Sequence, residues 1–442
     1  MTSAGCIPIY SETEIIPRSQ HPISRANISP NALKVLYRLK ESGYQAHLVG
    51  GGVRDLLLGR EPKDFDVATD AHPDDVRRLF RNCRLIGRRF RLAHVMFGRE
   101  IIEVATFRAR QEPGDNNGAQ HVDEDGRIVR DNVYGSIADD ALRRDFTVNA
   151  LYYNIDDFSI IDYAGGMRDI EAGVLRLLGD PETRYREDPV RMLRAVRFAT
   201  KLGFRIETET ERPISTLAAL LGDIPPARLF DEMLKLFMSG SALANFEMLR
   251  HYDLFRQLFP LTDASLAHQE NEFPLTLINR GMANTDDRVL ANKSVTPAFL
   301  FAVFLWEPVR HRMARLESDG QAPPQAMQHA SSQIIAEQAA VMATPRRFSL
   351  PMREIWMLQL RLERKGGRRS LRVLDHPRFR AAYDFLLLRG EAGEVSQELC
   401  DWWTEFQAMH PDKREQEATK TGPRKRRRRR PRRKANTGDN QS

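Results

Sequence analysis

Asp64 and Asp66 stand on either side of Phe65, a short way downstream of three consecutive glycines, Gly50, Gly51 and Gly52. Read as a strand, the DFD triplet turns both carboxylates to one face and Phe65 to the other. Two carboxylates on a rigid strand suit Mg²⁺, which takes one or two protein oxygens and fills its shell with substrate phosphates. The glycines have no side chains to block an anion, so backbone N–H groups can turn toward a triphosphate as the next helix begins. Arg54, one residue inside that helix, brings a planar set of donors suited to phosphate. A glycine turn or a D-x-D pair alone is commonplace; together they point to nucleotidyl transfer.

Two further clusters carry polar chemistry. In Asp140–Tyr153, DALRRDFTVNALYY, Asp145 and Asn149 are four apart and share a face if the segment is helical. Asp145 could then join Asp64 and Asp66 around a metal or hold a ribose hydroxyl, with Arg144 on phosphate. The alternative is a helix capped by Asp140 with an ordinary arginine pair. In Tyr185–Lys201, YREDPVRMLRAVRFATK, Met192, Leu193, Val196 and Ala199 form one helical face and arginines line the other. Asp188 and Arg191, three apart, could address the amino group and ring nitrogen of adenine. Equally, Asp188 before Pro189 could cap the helix while Glu187 pairs with Arg191. Glu103, in the strand-like IIEVATF, is a carboxylate among apolar neighbours and requires a partner.

Positioning these groups requires a sheet. A helix over Asn31–Ser42, capped by Ser29 and Pro30 and ended by Gly43, precedes strands at His47–Val49, Phe65–Ala68, Cys83–Ile86, His94–Phe97 and Ile101–Phe107, with a helix at Asp74–Arg81. Glu112–Gly126 reads as a mobile polar loop. From about Ala138 helical patterns dominate, with loops within Thr276–Lys293 and Glu317–Ser332. Arg353–Arg364 and Arg378–Leu388 read as amphipathic helices with basic outer faces, and Trp402 and Trp403 as plugs between helices.

Composition narrows the function classes. The 442 residues allow several modules, and the longest apolar stretch, Pro297–Trp306, is too short to span a bilayer. The first residues lack the basic start and apolar middle of a secretory signal, which with three scattered cysteines (Cys6, Cys83, Cys400) points to the reducing cytoplasm. The eleven histidines show no metal-binding spacing. Ten of the eleven residues Arg424–Lys434 are basic, so the net charge of +7 becomes −3 without them. Such a run cannot pack and is expected to be a disordered tail that contacts polyanions, RNA foremost.

GGGVRD with KDFD, then RRDFTVNALYY and REDPVRMLRAVRF, resemble in order and spacing the bacterial branch of the nucleotidyltransferase superfamily that contains CCA-adding enzymes and poly(A) polymerases. The block Leu85–Val95, LIGRRFRLAHV, is similar to the signature that separates bacterial poly(A) polymerases from CCA-adding enzymes, and so is the arginine-rich C-terminus. The likeness covers Ile23–Gln407 and loosens after Arg110 and between Asp263 and Ser349.

The resemblance implies an α+β fold: a small mixed-sheet catalytic head followed by all-helical modules. A flexible start (1–22) precedes the head (23–165), a neck for nucleotide selection and RNA binding (166–255), a body (256–345), a leg (346–412) and the disordered tail (413–442). It implies Asp64, Asp66 and Asp145 as catalytic carboxylates, the first two holding Mg²⁺. Gly51, Arg54, Arg144, Asp188, Arg191 and Arg194 are implied as nucleotide contacts, and Gly52 and Asn149 join them from the reading of the glycine turn and of the Asp145 cluster. The activity so implied is template-independent addition of AMP from ATP to RNA 3′ ends by a monomer working with RNA-decay proteins. The alternatives are a CCA-adding enzyme and an inactive RNA-binding adaptor.

Overall fold

Ser29 and Pro30 begin the first helix as the capping rule requires. The Ser29 hydroxyl accepts from the N–H groups of Asn31 (3.1 Å) and Ala32 (3.3 Å), and α1 (Pro30–Glu41) lays Ala32, Val35, Leu36 and Leu39 against the sheet. The chain then alternates through β2 (Ala46–Val49), α2 (Gly51–Leu57), β3 (Asp66–Thr69), α3 (Pro73–Leu79), β4 (Cys83–Ile86), β5 (Leu92–Phe97) and β6 (Glu100–Thr106). The structure, a computed structural model, describes residues 13–87, 91–109, 120–122, 128–131, 133–267 and 273–420. Most of the N-terminal segment, Arg88–Phe90 of the signature block, much of the polar loop and the whole arginine run lie outside the described residues.

Five strands fall where sequence places them, but the sheet is larger than sequence suggests. Its eight strands run in the order β1-β10-β9-β2-β3-β6-β5-β4, with β1 at Glu14–Ile16, β9 at Leu151–Asn154 and β10 at Ile160–Asp162. The β3–β6 pair is parallel and the other pairs are antiparallel. Three expectations are corrected. Part of the segment read as a flexible start is an edge strand. The polar loop contains strand residues, β7 (Gln120–Val122) paired with β8 (Ile128–Asp131).

The third correction concerns Leu151–Asn154, which is a central strand and not a continuation of helix. Leu151 and Tyr153 enter the core beneath α1 while Tyr152 enters the cluster on the opposite face with Val49, Ala68, Phe107 and Ala141. That two-sided alternation is the strand period, and a run this short does not reveal it outside its sheet.

After α4 (Ile137–Leu142), α5 (Gly166–Ala172), α6 (Pro181–Glu187) and α7 (Val190–Leu202), the chain is almost entirely helical. Thr276–Lys293, where loops are expected, is mostly one helix, Phe273–Leu290, and the polar stretch after Glu317 is largely the helix Pro323–Val341. Contacts divide the chain into two compact units. The first takes the described residues of Met1–Ala267, Met282–Val295 and Ala336–Thr344; the second takes those of His268–Gly281, Thr296–Ile335 and Pro345–Ser442.

In the second unit, the tryptophans plug helix interfaces as expected. Trp403 is buried and donates to the Leu362 carbonyl (2.7 Å), and Trp402 stacks on Phe406 with ring centroids 4.6 Å apart. Among the described residues no helix is long and apolar enough to cross a membrane.

Candidate active site

The register of the sheet builds the site. Val49, the last residue of β2, lies opposite Asp66, the first of β3, so the turn that follows Val49 emerges beside the carboxylate. Gly50 has φ +69° and ψ −138°, a conformation that suits glycine and is costly for a side chain. A Cβ on Gly50 would sit 3.3 Å from Arg144 Nη1 and 3.9 Å from Asp66 Oδ2. A Cβ on Gly52 would lie 3.6 Å from the Asp64 carbonyl and 3.7 Å from the Phe65 ring. The glycine turn therefore abuts the Asp66 carboxylate and the backbone of Asp64. The first N–H groups of α2 have no intrahelical acceptor and so are free to bind an anion.

Asp66 is electrostatically unsettled. Burial pushes its pKa up to about 6, the nearby Glu103 and Asp64 add to the rise, and Arg144 and His94 oppose it. Glu103 faces Asp66 across the parallel β3–β6 pair. Among the described residues no protein donor hydrogen-bonds Asp64 or Asp66, and Asp64 is exposed just before the strand starts. No group of three or more His, Cys, Asp or Glu among the described residues is placed to hold a metal unaided. Two undonated carboxylates beside an anion-binding turn nevertheless fit a divalent cation whose remaining ligands come from substrate phosphates and water.

Arg144 is aimed at this opening by a buried bracket. Its Nη2 and Nε donate to Asp140 Oδ2 (3.0 and 3.3 Å), Nε also donates to the Tyr152 hydroxyl (3.0 Å), and that hydroxyl donates to Asp140 (2.6 Å). Asp140 is not the helix cap that sequence allows; Ser136 caps α4 in a box with Asp139. The role of Tyr152 leaves no sequence signal, whereas the i,i+4 spacing of Asp140 and Arg144 does.

The other residues of the sequence constellation form a second network. Asp145 Oδ2 accepts from Arg194 Nε (2.8 Å) and also from its Nη2, while Oδ1 accepts from the Phe146 N–H (2.9 Å) and Asn149 Nδ2 (3.1 Å). Burial alone raises the Asp145 pKa, but Arg194 and these donors override it and hold it down at about 2. Asp145 is thus paired with Arg194. Asn149, in a single 3₁₀ turn and not an α-helix, passes the network on, its Oδ1 accepting from Arg54 Nη1 (2.5 Å).

Arg54 is 2 % exposed, with Nε and Nη2 on Asp55 (2.9 and 2.5 Å) and Lys201 on the other Asp55 oxygen (3.2 Å). A guanidinium this buried must be fully paired. Arg54 lies under Gly51, bracing the turn, and does not present the open fork that its position in sequence suggests.

The neck pair behaves similarly. Asp188 accepts from Arg228 Nη2 (2.7 Å) and the Val190 N–H (3.3 Å); Arg191 donates to Glu187 (3.0 Å) and to the Arg184 carbonyl (2.6 Å). Both side chains are half-buried near the start of α7, yet they do not bond each other; the link between the two residues is from the Arg191 N–H to the Asp188 carbonyl (3.0 Å). Of the local contacts offered as the alternative in sequence, the Glu187–Arg191 pair is formed, but Pro189 and not Asp188 takes the N-cap position of α7. Arg228, forty residues downstream, and His94, whose Nε2 lies 3.3 Å from Glu103 Oε2, are partners that sequence reasoning misses. Alternation along β5 could have put His94 on the acid face, but only register puts it beside Glu103.

Comparison with known proteins places this geometry in context. Residues 46–176 match the model described as the poly A polymerase head domain. Residues 203–266 match a probable RNA and SrmB-binding site of polymerase A, and residues 319–435 match the polymerase A arginine-rich C-terminus. Poly(A) polymerase I of Salmonella typhi is 52% identical over 401 residues, covering 90% of this chain and 86% of its own. That of Haemophilus influenzae is 47% identical over 408 residues, 92% and 90% of the two chains. A CCA-adding enzyme of Bacillus pumilus is 37% identical over only 250 residues, 56% and 60% of the two chains. Among solved structures, a tRNA-processing enzyme with CTP superposes with a TM-score of 0.60 at 23% identity, covering 87% of this chain and 96% of the other, a likeness of fold.

Proposed function

The chain belongs to the bacterial poly(A) polymerase I family, and from that premise we propose how its residues carry out the family's reaction, the addition of AMP from ATP to RNA 3′ ends with release of pyrophosphate. The observation that carries the reading is Asp66, a carboxylate without a hydrogen-bond donor among the described residues, set between the glycine turn with Arg144 beside it on one side and Glu103 on the other. Asp64 and Asp66 would hold Mg²⁺, which when bound supplies acidity to the RNA 3′-hydroxyl and countercharge to the triphosphate.

The residues of the chain do the rest by positioning. The N–H groups after Gly50 and the Nη1 of Arg144 hold the triphosphate so that the α-phosphorus faces the acids. The 3′-hydroxyl gives its proton to solvent as its oxygen attacks that phosphorus in line, the new P–O bond forms as the bond to pyrophosphate breaks, and the leaving charge develops toward Arg144. Asp140 and Tyr152 keep Arg144 from swinging away, at no reorganisation cost during the reaction. Arg54, Asn149, Asp145 and Arg194 tie the turn of the head to helix α7, so Asp145 acts as a positioning residue. Asp188 and Arg191 select adenine, Asp188 exchanging Arg228 for the base amino group as ATP enters.

RNA is retained by the segment matched at residues 203–266 and by the arginine-rich tail, in the cytoplasm. The test is to incubate the protein with generic RNA and each nucleotide in turn. A long ladder with ATP alone is expected. A product that stops after CTP and then ATP addition would select CCA synthesis, and no product at all would select an inactive adaptor.

A further inference from the structure

Beyond Asp66 the sheet carries a row of polar side chains toward its edge. Asp66 is opposite Glu103, Glu103 opposite His94, and His94 opposite Arg84, so the four stand side by side across β3, β6, β5 and β4. With strands ~4.8 Å apart, the row runs about 14 Å from the acid to the edge strand, room for more than one nucleotide. On the same face and flanking the row, Ile101 lies opposite Met96, and Ile86 opposite Leu92.

This face is open. Ile86 and Ile101 are 41% and 45% exposed, whereas Val95, Ile102 and Val104, which point the other way, are buried in the core beneath α1 and α3. Arg84 is exposed and makes no ion pair among the described residues. Strands with one buried face ordinarily place polar residues on the other. Isoleucines left in water beside an unpaired arginine and a reaction centre need an occupant.

In-line chemistry says which one. The glycine turn and Arg144 lie on the β2 side of Asp66, so if the triphosphate leaves in that direction, the attacking hydroxyl must arrive from the opposite side, across Glu103. We propose that the open face of β4, β5 and β6 is the bed on which the 3′-terminal nucleotides of the RNA lie. Arg84 takes a backbone phosphate, and Ile86, Ile101 and Met96 take the faces of a base and its ribose, contacts that tolerate any sequence. His94 holds Glu103 by its Oε2 and so keeps that carboxylate from crowding the incoming hydroxyl. The assignment rests on the glycine turn being the triphosphate side, as proposed above.

The experiment uses the full chain and a short oligoadenylate. Arg84→Glu and Ile101→Asp, both at exposed positions, are expected to raise the KM for the oligonucleotide several-fold while leaving the KM for ATP unchanged. Arg84→Ala should lower the slope of log affinity against log salt by about 0.7, the value for one phosphate contact with a single strand. An oligonucleotide bearing 4-thiouridine next to its 3′ end should crosslink to peptides within residues 83–87 or 92–103. Unchanged oligonucleotide KM with crosslinks only elsewhere would overturn the proposal and leave the face to a protein partner or to solvent. An equal rise in both KM values would also overturn it. Failure of the wild-type protein to extend RNA would instead refute the polymerase reading itself.

Discussion

Two aspartates in the first unit have opposite surroundings. Asp145 is enclosed by Arg194, Asn149 and a backbone N–H and is held at a pKa of about 2; the Asp66 carboxylate receives no hydrogen bond among the described residues, sits near Glu103 and Asp64, and is pushed up to about 6. The first is a finished interaction and the second an unfinished one. The pairing of Asp145 favours a positioning role, whereas a carboxylate kept short of partners retains its affinity for a cation and substrate, at some cost in stability.

The largest effect that could break this contrast is on activity. Asp64→Ala or Asp66→Ala is expected to lower AMP incorporation by about 10³-fold or more with the fold intact by circular dichroism. Appreciable turnover by either variant would undo the assignment. Asp145→Ala should act on stability, costing about 2–3 kcal/mol in urea denaturation because Arg194 loses its counter-ion; the figure is modest because Arg194 keeps some access to water. A double variant that also replaces Arg194 with Met should recover part of that loss. Arg144→Lys should raise the KM for ATP about tenfold and leave the RNA KM unchanged, since one donor point replaces a bracketed fork.

The pH dependence of metal-free stability sharpens the comparison further, because the two groups have opposite signs. The native state holds a proton on Asp66 more tightly than the unfolded chain does, so its contribution favours folding below about pH 4 and is lost as pH rises to about 6. Asp66→Asn should therefore stabilise the metal-free protein at neutral pH by about 1–2 kcal/mol while abolishing activity. Asp145 contributes stability above about pH 4 that is lost as pH falls toward 2, and Asp145→Asn should remove that acid dependence. Urea midpoints measured between pH 3 and pH 8 test both. The smallest effect is expected from removing residues 424–434: shorter products and a flatter salt dependence, with single additions unaffected on a product gel.

Much of this was legible in the chain because it is local. The glycine turn, the D-x-D spacing and the Ser29–Pro30 cap act within a few residues, and five strands announced themselves by β-branched runs. Leu151–Asn154 was not legible, since its two-sided burial exists only between β2 and β10. Arg54 shows the limit for single residues: its place in the first turn of a helix after a glycine turn is the same whether it faces phosphate or core, and the Asp55 and Asn149 contacts decide. The same holds for Asp188, whose partner Arg228 is forty residues away.

The amino-acid order alone settled the kind of chemistry, since residue types and their short spacings determine which groups can be neighbours on one strand or turn. Which acid is left unpaired, which arginine faces the opening and which supports it from beneath were decided by strand register and helix packing. Charge satisfaction depends on distance in space, and groups as far apart as Arg54 and Asn149, or Asp145 and Arg194, acquire a distance only when the chain has folded.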